Sequence, residues 1–367
     1  MRQGFVLLLL AVSLAAGSQA FGQYQRNPQT RGESQDRPTS PTRLLRLYED
    51  DDYINIKGKG TDEAYTNGSR VDLFYTLPTP THTFPDRILP KAGDSTTDVY
   101  GWGIMQVMYT PRRINDADFQ PDDYPWSGGL FLTHSLYSYN PRYRCDIQTE
   151  VVAGVLGPAS LAGATQKGFH HLIHYTEPTG WGHQFRNDLL LNINLTLEKE
   201  VFELRPGANP LLELIGGGTV HAGTMENRLS FYSLLRLGLM HPYFNGLMSQ
   251  YTSSGSKGHM QLYLFARPEA DLVGTNAILQ GGMFTHPPHG ASTAQPGAAA
   301  EPGAAAQPIS KTVTNYQPLR TFTYNIDYGA VLAFQTWSLS FTQSWSSALM
   351  RGLYNHEVGN ISVYFGL

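Results

Sequence analysis

The sequence predicts an all-β fold: a transmembrane antiparallel β-barrel of about a dozen strands. Three observations carry this expectation. Apolar and polar residues alternate along most of the chain, some strands stack polar side chains on one face, and the last strand ends beside an aromatic residue. Alternation is the period of a strand with one apolar and one polar face. From Phe322 the residues Phe322, Tyr324, Ile326, Tyr328, Ala330, Leu332 and Phe334 are apolar, with Thr323, Asn325, Asp327 and Gly329 between them. At the end, Ile361, Val363, Phe365 and Leu367 alternate with Ser362, Tyr364 and Gly366. A soluble β-sandwich alternates as well. The stacks Asp146, Gln148, Glu150 and Asn192, Asn194, Glu198 suit a wet lumen instead. A closed barrel also leaves no open strand edge in hydrocarbon.

In chain order, residues 1–20 read as a signal peptide: an early arginine, an apolar run from Phe5 to Ala16, and the small-x-small site Ser18-Gln19-Ala20. The run is shorter than the roughly 20 residues of a spanning helix. Residues 21–41, rich in Gln, Arg, Ser, Thr and Pro, read as a disordered leader. The barrel then occupies 42–367. Its strands are expected at Leu44–Tyr48, Tyr65–Leu77, Tyr100–Tyr109, Gly128–Tyr139, Cys145–Leu156, Gln184–Leu197, Leu211–His221, Arg228–Leu237 and His259–Asp271, with three more between Arg320 and Leu367. Asn140-Pro141-Arg142 is a short periplasmic turn, and Met240–Lys257 a longer connection with Asn245-Gly246 in a turn. Residues 281–308 are low in complexity and read as a disordered outer loop, with His286 and His289 as solvated side chains.

Composition narrows the function. The single Cys145 makes no internal disulfide, which suits a bacterial envelope better than a small stapled domain. The net charge is −4 with no basic stripe, so nucleic acid is not an expected partner. The 21 Tyr and 37 Gly fit the aromatic and glycine enrichment of barrels.

Three loops fall on the outer rim. The first runs from Glu49-Asp50-Asp51-Asp52-Tyr53 to Asp62-Glu63-Ala64-Tyr65-Thr66-Asn67-Gly68, and its carboxylates and hydroxyls suit a hard cation or simply a solvated acidic loop. The second carries Arg112 and Arg113, forked donors that fit phosphates. The third, Gly157–Asn187, holds Gln166, His170, His171, His174 and Glu177 between two strands. His170 is the expected base and Glu177 an expected metal holder. His170 and His174 would share a helical face, but the glutamate of the HExxH zinc motif is missing.

The motifs YEDDDY, YTNG, GWGIMQVMYTP, PDDYPWSGGLF, GPASLAGATQKGFHH and GWGHQFRND occur in this order. Over Leu44–Asn187 the chain resembles the lipid A 3′-O-deacylases of the bacterial outer membrane. The resemblance implies a twelve-stranded barrel with its active site at the extracellular rim. It implies Ca²⁺-dependent hydrolysis of the 3′-linked acyloxyacyl chain of lipid A, the lipid anchor of lipopolysaccharide, by a monomer. His170 matches the catalytic histidine with Gln166 before it, Asp51 the acidic residue of the first motif, Thr66 the threonine of YTNG, and Glu177 the loop glutamate. Asp51, Thr66 and Glu177 are then the metal set. Two positions depart. Asp50 stands where the first motif has asparagine, and an ionised aspartate donates no hydrogen bond. A gapless match puts Asp116 at the family's lysine, which leaves Arg112 or Arg113 to substitute. The competing expectations are a barrel without catalysis, as a channel or an inactive family member, and a soluble secreted β-protein that binds glycan.

Overall fold

The computed structural model describes residues 42–56, 62–77, 87–253, 260–284 and 316–367. The expected signal peptide and leader, His286, His289 and most of the low-complexity loop lie outside the described residues.

Twelve strands form one closed ring: β1 (Arg43–Asp51), β2 (Ala64–Tyr75), β3 (Thr97–Thr110), β4 (Ser127–Asn140), β5 (Cys145–Leu156), β6 (Asp188–Leu204), β7 (Leu212–Gly223), β8 (Glu226–Leu239), β9 (Gln261–Asn276), β10 (Phe322–Phe334), β11 (Trp337–Ser346) and β12 (His356–Gly366). Each pairs antiparallel with its sequence neighbours, and β1 closes the ring on β12 through Leu44–Gly366 to Asp51–Gly359. The strands overrun several expected ends, β6 by the most, because main-chain pairing continues past the residues that alternate cleanly.

The faces are inverted relative to a water-soluble protein. In β6, Leu189, Leu191, Ile193 and Leu197 are 54–70% exposed, while Leu190, Asn192 and Glu198 on the alternate positions are buried. An apolar belt that stands outward around a ring is covered by lipid, not water. The polar stacks do face the lumen. Arg70 joins Asp72 (2.8 Å) and Glu150 (2.6 Å), Gln148 donates to Glu198 (3.0 Å), and Asn194 to Glu150 (3.3 Å). Each of these charges has a partner, as low-polarity surroundings demand.

The end where β1 starts carries tight turns at Asn140–Cys145 and Phe334–Trp337, as expected of the periplasmic side. The β8–β9 connection on this end is not a simple loop. A 3-10 turn at Tyr243–Asn245 leads into α-helical residues Leu247–Tyr251, with Gly246 at φ 104 between them. Their Phe244, Leu247 and Met248 pack among Leu44, Phe74, Val99, Tyr139 and Tyr364, and Tyr251 stacks on Tyr364 at 3.8 Å. The segment therefore plugs the lumen from the periplasmic side. At the outer end, Ala277, Ile278 and Leu279 follow β9 into the mouth, where they meet Phe131, Leu156, Phe185, Leu190, Tyr124 and Met350.

Candidate active site at the outer rim

The barrel wall presents one row of outward positions at the rim. Register places Asp51 opposite Asn67, Asn67 opposite Met108, and Met108 opposite Gly128. On β1 this row continues the lipid-facing Leu45 and Leu47, and on β3 the exposed Trp102 and Ile104. This row thus faces sideways, above the apolar belt, and not into the lumen.

The third outer loop folds against this row. Where a polar segment was expected, the chain makes a 3-10 turn at Pro158–Ser160, the helix α1 (Ala162–Ile173), and a second 3-10 turn at Gly180–His183. Helical spacing puts Ala162, Gln166 and His170 on one buried face, at 1%, 4% and 3% exposure. Met108, Ile114, Trp126, Ala162 and Trp181 form the core that clamps α1 to the wall. Gln106 Nε2 donates to the Ser160 carbonyl at 2.7 Å, and Gly128 leaves room for Ala162. Trp181 Nε1 donates to Gln166 Oε1 at 2.7 Å, which satisfies both buried groups.

His170 is held at both ring nitrogens. Nδ1 lies 2.5 Å from the carbonyl oxygen of Thr176, and Nε2 lies 3.4 Å from Asp62 Oδ1. A carbonyl only accepts, so Nδ1 carries the proton and Nε2 is the basic nitrogen. Burial opposes a charge on the ring. The Asp62 contact, the Thr176 carbonyl and the negative charges of Asp62 and Asp51 outweigh it, and the pKa is raised. Tyr175 meets the ring edge-on at 5.1 Å. His174 lies just past the helix in a left-handed conformation (φ 56) and is exposed, as is His171, so the expected His170–His174 face does not form.

On the wall, Asp51 Oδ1 accepts from Tyr53 N (2.7 Å) and its Oδ2 is 3.5 Å from Asn67 Nδ2. Asn67 also donates to Glu49 Oε1 at 2.6 Å. Asp50 points to the opposite side, where its Oδ2 accepts from Tyr48 (2.6 Å) and Tyr65 (3.2 Å) hydroxyls. Its role there is that of an acceptor, which an aspartate fills without donating. The β2–β3 ladder bulges between Tyr65 and Asn67, which frees Thr66. The Thr66 hydroxyl pairs with Thr110 (2.6 Å), and Thr110 donates to the Asp62 carbonyl (2.6 Å). Buried Asp52 accepts from Glu63 N (3.0 Å). Burial, then the charges of Asp62 and Asp51, raise its pKa well above the ordinary carboxylate value.

The remaining expected residues sit further out. Arg112 pairs with Glu63 (2.5 Å) and stacks on the Tyr354 ring at 3.9 Å. Arg113 is more exposed and faces Asp116 at 3.2 Å. Glu177 is exposed beyond α1. Among the described residues, the tight group of metal-ligating side chains is Glu200, Glu203 and Glu213. It is located at the periplasmic ends of β6 and β7, where Arg144 and Arg205 pair with it. Asp51 and Glu177 are outside that group, and the Thr66 hydroxyl is paired with Thr110. Sequence reasoning had Asp52 and Asp62 only as members of an acidic loop, and missed Thr110 and the tryptophan anchor of Gln166. The one signal for Asp62 is that it closes the acidic loop that Asp51 opens.

The family model of outer membrane protein LpxR matches residues 5–367. Among solved structures, the chain is similar to LpxR from Salmonella typhimurium, with a TM-score of 0.66 at 15% identity over 88% of this chain and 100% of that one. The translocator domain of the autotransporter NalP from Neisseria meningitidis gives a TM-score of 0.37 at 12% identity, over 90% of each chain. The beta domain of the Bordetella autotransporter BrkA gives 0.37 at 8%, over 90% of this chain and 100% of that one. No curated protein matches the chain in sequence at a significant level. The match across the chain and the shared barrel agree: this chain belongs to the LpxR family of proteins of the bacterial outer membrane.

Proposed function

We propose that the chain is a lipid A deacylase that hydrolyses the 3′-linked acyloxyacyl ester in the outer leaflet. The observation that carries this reading is His170. It is a buried imidazole with Nδ1 fixed by a carbonyl and Nε2 left as the basic nitrogen beside Asp62, on a helix clamped beside a lipid-facing wall. A lipid in the outer leaflet reaches such a site by sliding sideways, without entering the lumen. Neutral His170 takes a proton from water through Nε2, and the water oxygen attacks the ester carbonyl. Gln166, braced by Trp181, reaches Asp62, the carboxylate that faces the imidazole. Arg112 is held at the rim by Glu63 and Tyr354, and it and Arg113 supply cationic forks for lipid A phosphates. Asp50 acts from the lumen side as a support for β1.

The donor chemistry fits Ca²⁺. The candidate ligands are oxygens only, and buried Asp52 is crowded by Asp62 and Asp51, a cluster of carboxylates whose mutual repulsion a hard cation would relieve. Asp51 and Glu177 would hold it. The Thr66 hydroxyl is engaged by Thr110 and supports from behind. Bound there, Ca²⁺ would polarise the ester carbonyl and stabilise its oxyanion. The test is fatty-acid release from purified lipid A in micelles by wild type and His170→Ala. Release by wild type alone supports the reading, and equal release or none from either protein refutes it. The channel reading is disfavoured by the periplasmic plug and the filled outer mouth.

A further inference from the structure

We infer that Asp62 is the positioning residue of His170: it orients the Nε2 edge of the ring and accepts the proton-bearing nitrogen that catalysis creates. The inference rests on the deacylase reading and extends it to a residue outside the expected set. Three independent features converge on Asp62. Its Oδ1 is 3.4 Å from His170 Nε2 and 3.4 Å from Gln166 Nε2, two groups one turn apart on the buried face of α1. Its carbonyl accepts from Thr110, whose hydroxyl is paired with Thr66 in the buried interior. Its backbone is left-handed (φ 48), a region that Asp and Asn tolerate better than most residues. Ala64, fully buried two residues on, is left-handed as well (φ 61). A carboxylate that only solvated the rim would need none of these supports, and strained backbone held by its surroundings gathers at functional sites.

The chemistry follows from the tautomer. With Nδ1–H on Thr176, neutral Nε2 presents a lone pair toward a carboxylate oxygen. At 3.4 Å the contact is not a hydrogen bond while Nε2 is neutral, and it becomes one when Nε2 gains a proton. In the reaction, an O–H bond of water breaks and its proton goes to Nε2 as the water oxygen bonds to the ester carbon. The new N–H points at Asp62, which stabilises the imidazolium. Collapse of the tetrahedral intermediate breaks the bond to the sugar oxygen, and the Nε2 proton passes to that oxygen. The titratable groups facing the ring are Asp62 and Asp51 from the first loop and Tyr175 from the segment after α1.

Asp62→Asn tests this, because asparagine keeps the left-handed backbone and a hydrogen-bonding side chain but loses the charge. Heat-modifiable gel migration checks that the barrel has folded. The expected result is a kcat about tenfold or more lower, with KM within about twofold. The acid limb of the pH profile moves down by about one unit. Titration of the His170 imidazole by NMR of histidine-labelled protein in micelles, assigned by its loss in His170→Gln, moves the same way. Thr110→Val keeps the carboxylate but frees its carbonyl, and gives a smaller shift in the same direction. It serves alone if Asp62→Asn does not fold. An unmoved profile and imidazole midpoint, or a raised KM with unchanged kcat, overturns the inference. If the imidazole midpoint shifts but wild type cleaves no lipid A, the deacylase reading fails and the Asp62–His170 pairing stands.

Discussion

Gly128→Ala probes the docking of α1 without touching any reacting group. A Cβ built at Gly128 lies 2.2 Å from the Ala162 Cβ and 2.7 Å from the Ser160 hydroxyl. Carbon atoms in contact sit about 3.5–4.0 Å apart, so one side has to give by roughly 1.3 Å or more. The wall is the stiffer side: β4 is laddered to β3 and β5, and Gly157 N donates to the Gly128 carbonyl at 2.9 Å. The helix therefore moves. It cannot slide freely, because Gly163 on α1 already abuts the Trp181 ring, which anchors Gln166. Overpacking of this kind costs about 1–3 kcal/mol locally and leaves the barrel folded. A misplacement of about 1 Å at His170 lowers the rate by about 10²-fold. The assay is the rate of fatty-acid release from lipid A micelles, alongside heat-modifiable migration. Ala162→Gly in the same chain removes the clashing Cβ and restores most of the rate. A Gly128→Ala protein as fast as wild type would show that the helix position does not set the chemistry. So would a double variant no faster than the single one.

Further outcomes follow from the same geometry. The base is the neutral imidazole and its pKa is raised, so kcat/KM rises with pH through a midpoint above the ordinary value of about 6.5. A midpoint at or below that value contradicts the Asp62 and Thr176 contacts. By linkage, the raised pKa stabilises the fold below the ordinary histidine range, and that contribution is lost as pH climbs past the folded-state pKa. Glu213→Gln leaves Arg236, 2% exposed and 2.6 Å from Glu213, without its counter-charge. The expected loss is about 3–5 kcal/mol in urea unfolding in micelles, with unchanged lipid A cleavage per folded molecule. Chelation of divalent ions abolishes cleavage, Ca²⁺ restores it, and Asp51→Asn raises the Ca²⁺ concentration required. Full activity in chelator removes the cation from the mechanism.

The wall was legible because lipid outside and charge inside impose a strict period of two. Leu189, Leu191 and Ile193 against Asn192 and Asn194 announce both faces at once. What was illegible depends on contacts remote in sequence. The β8–β9 plug reads only as a longer connection, since Phe244, Leu247 and Met248 gain meaning only from Leu44, Val99 and Tyr139 across the lumen. α1 carries Gly163 and Gly168 and has no side-chain N-cap, so beyond the spacing of its histidines little marks it locally as a helix. His170 was found through its motif. Asp62 was not, because its role comes from a left-handed backbone and a hydroxyl pair that only the folded barrel creates.

The central claim is that an imidazole on an outward-facing helix cuts an ester of a lipid lying beside the barrel. Mass spectrometry of lipid A from cells that express wild type or His170→Ala, at matched levels of folded barrel, tests it most directly. The account predicts lipid A lighter by one acyloxyacyl group with wild type and unaltered lipid A with the variant. Intact lipid A in both, or the same loss in both, would contradict it.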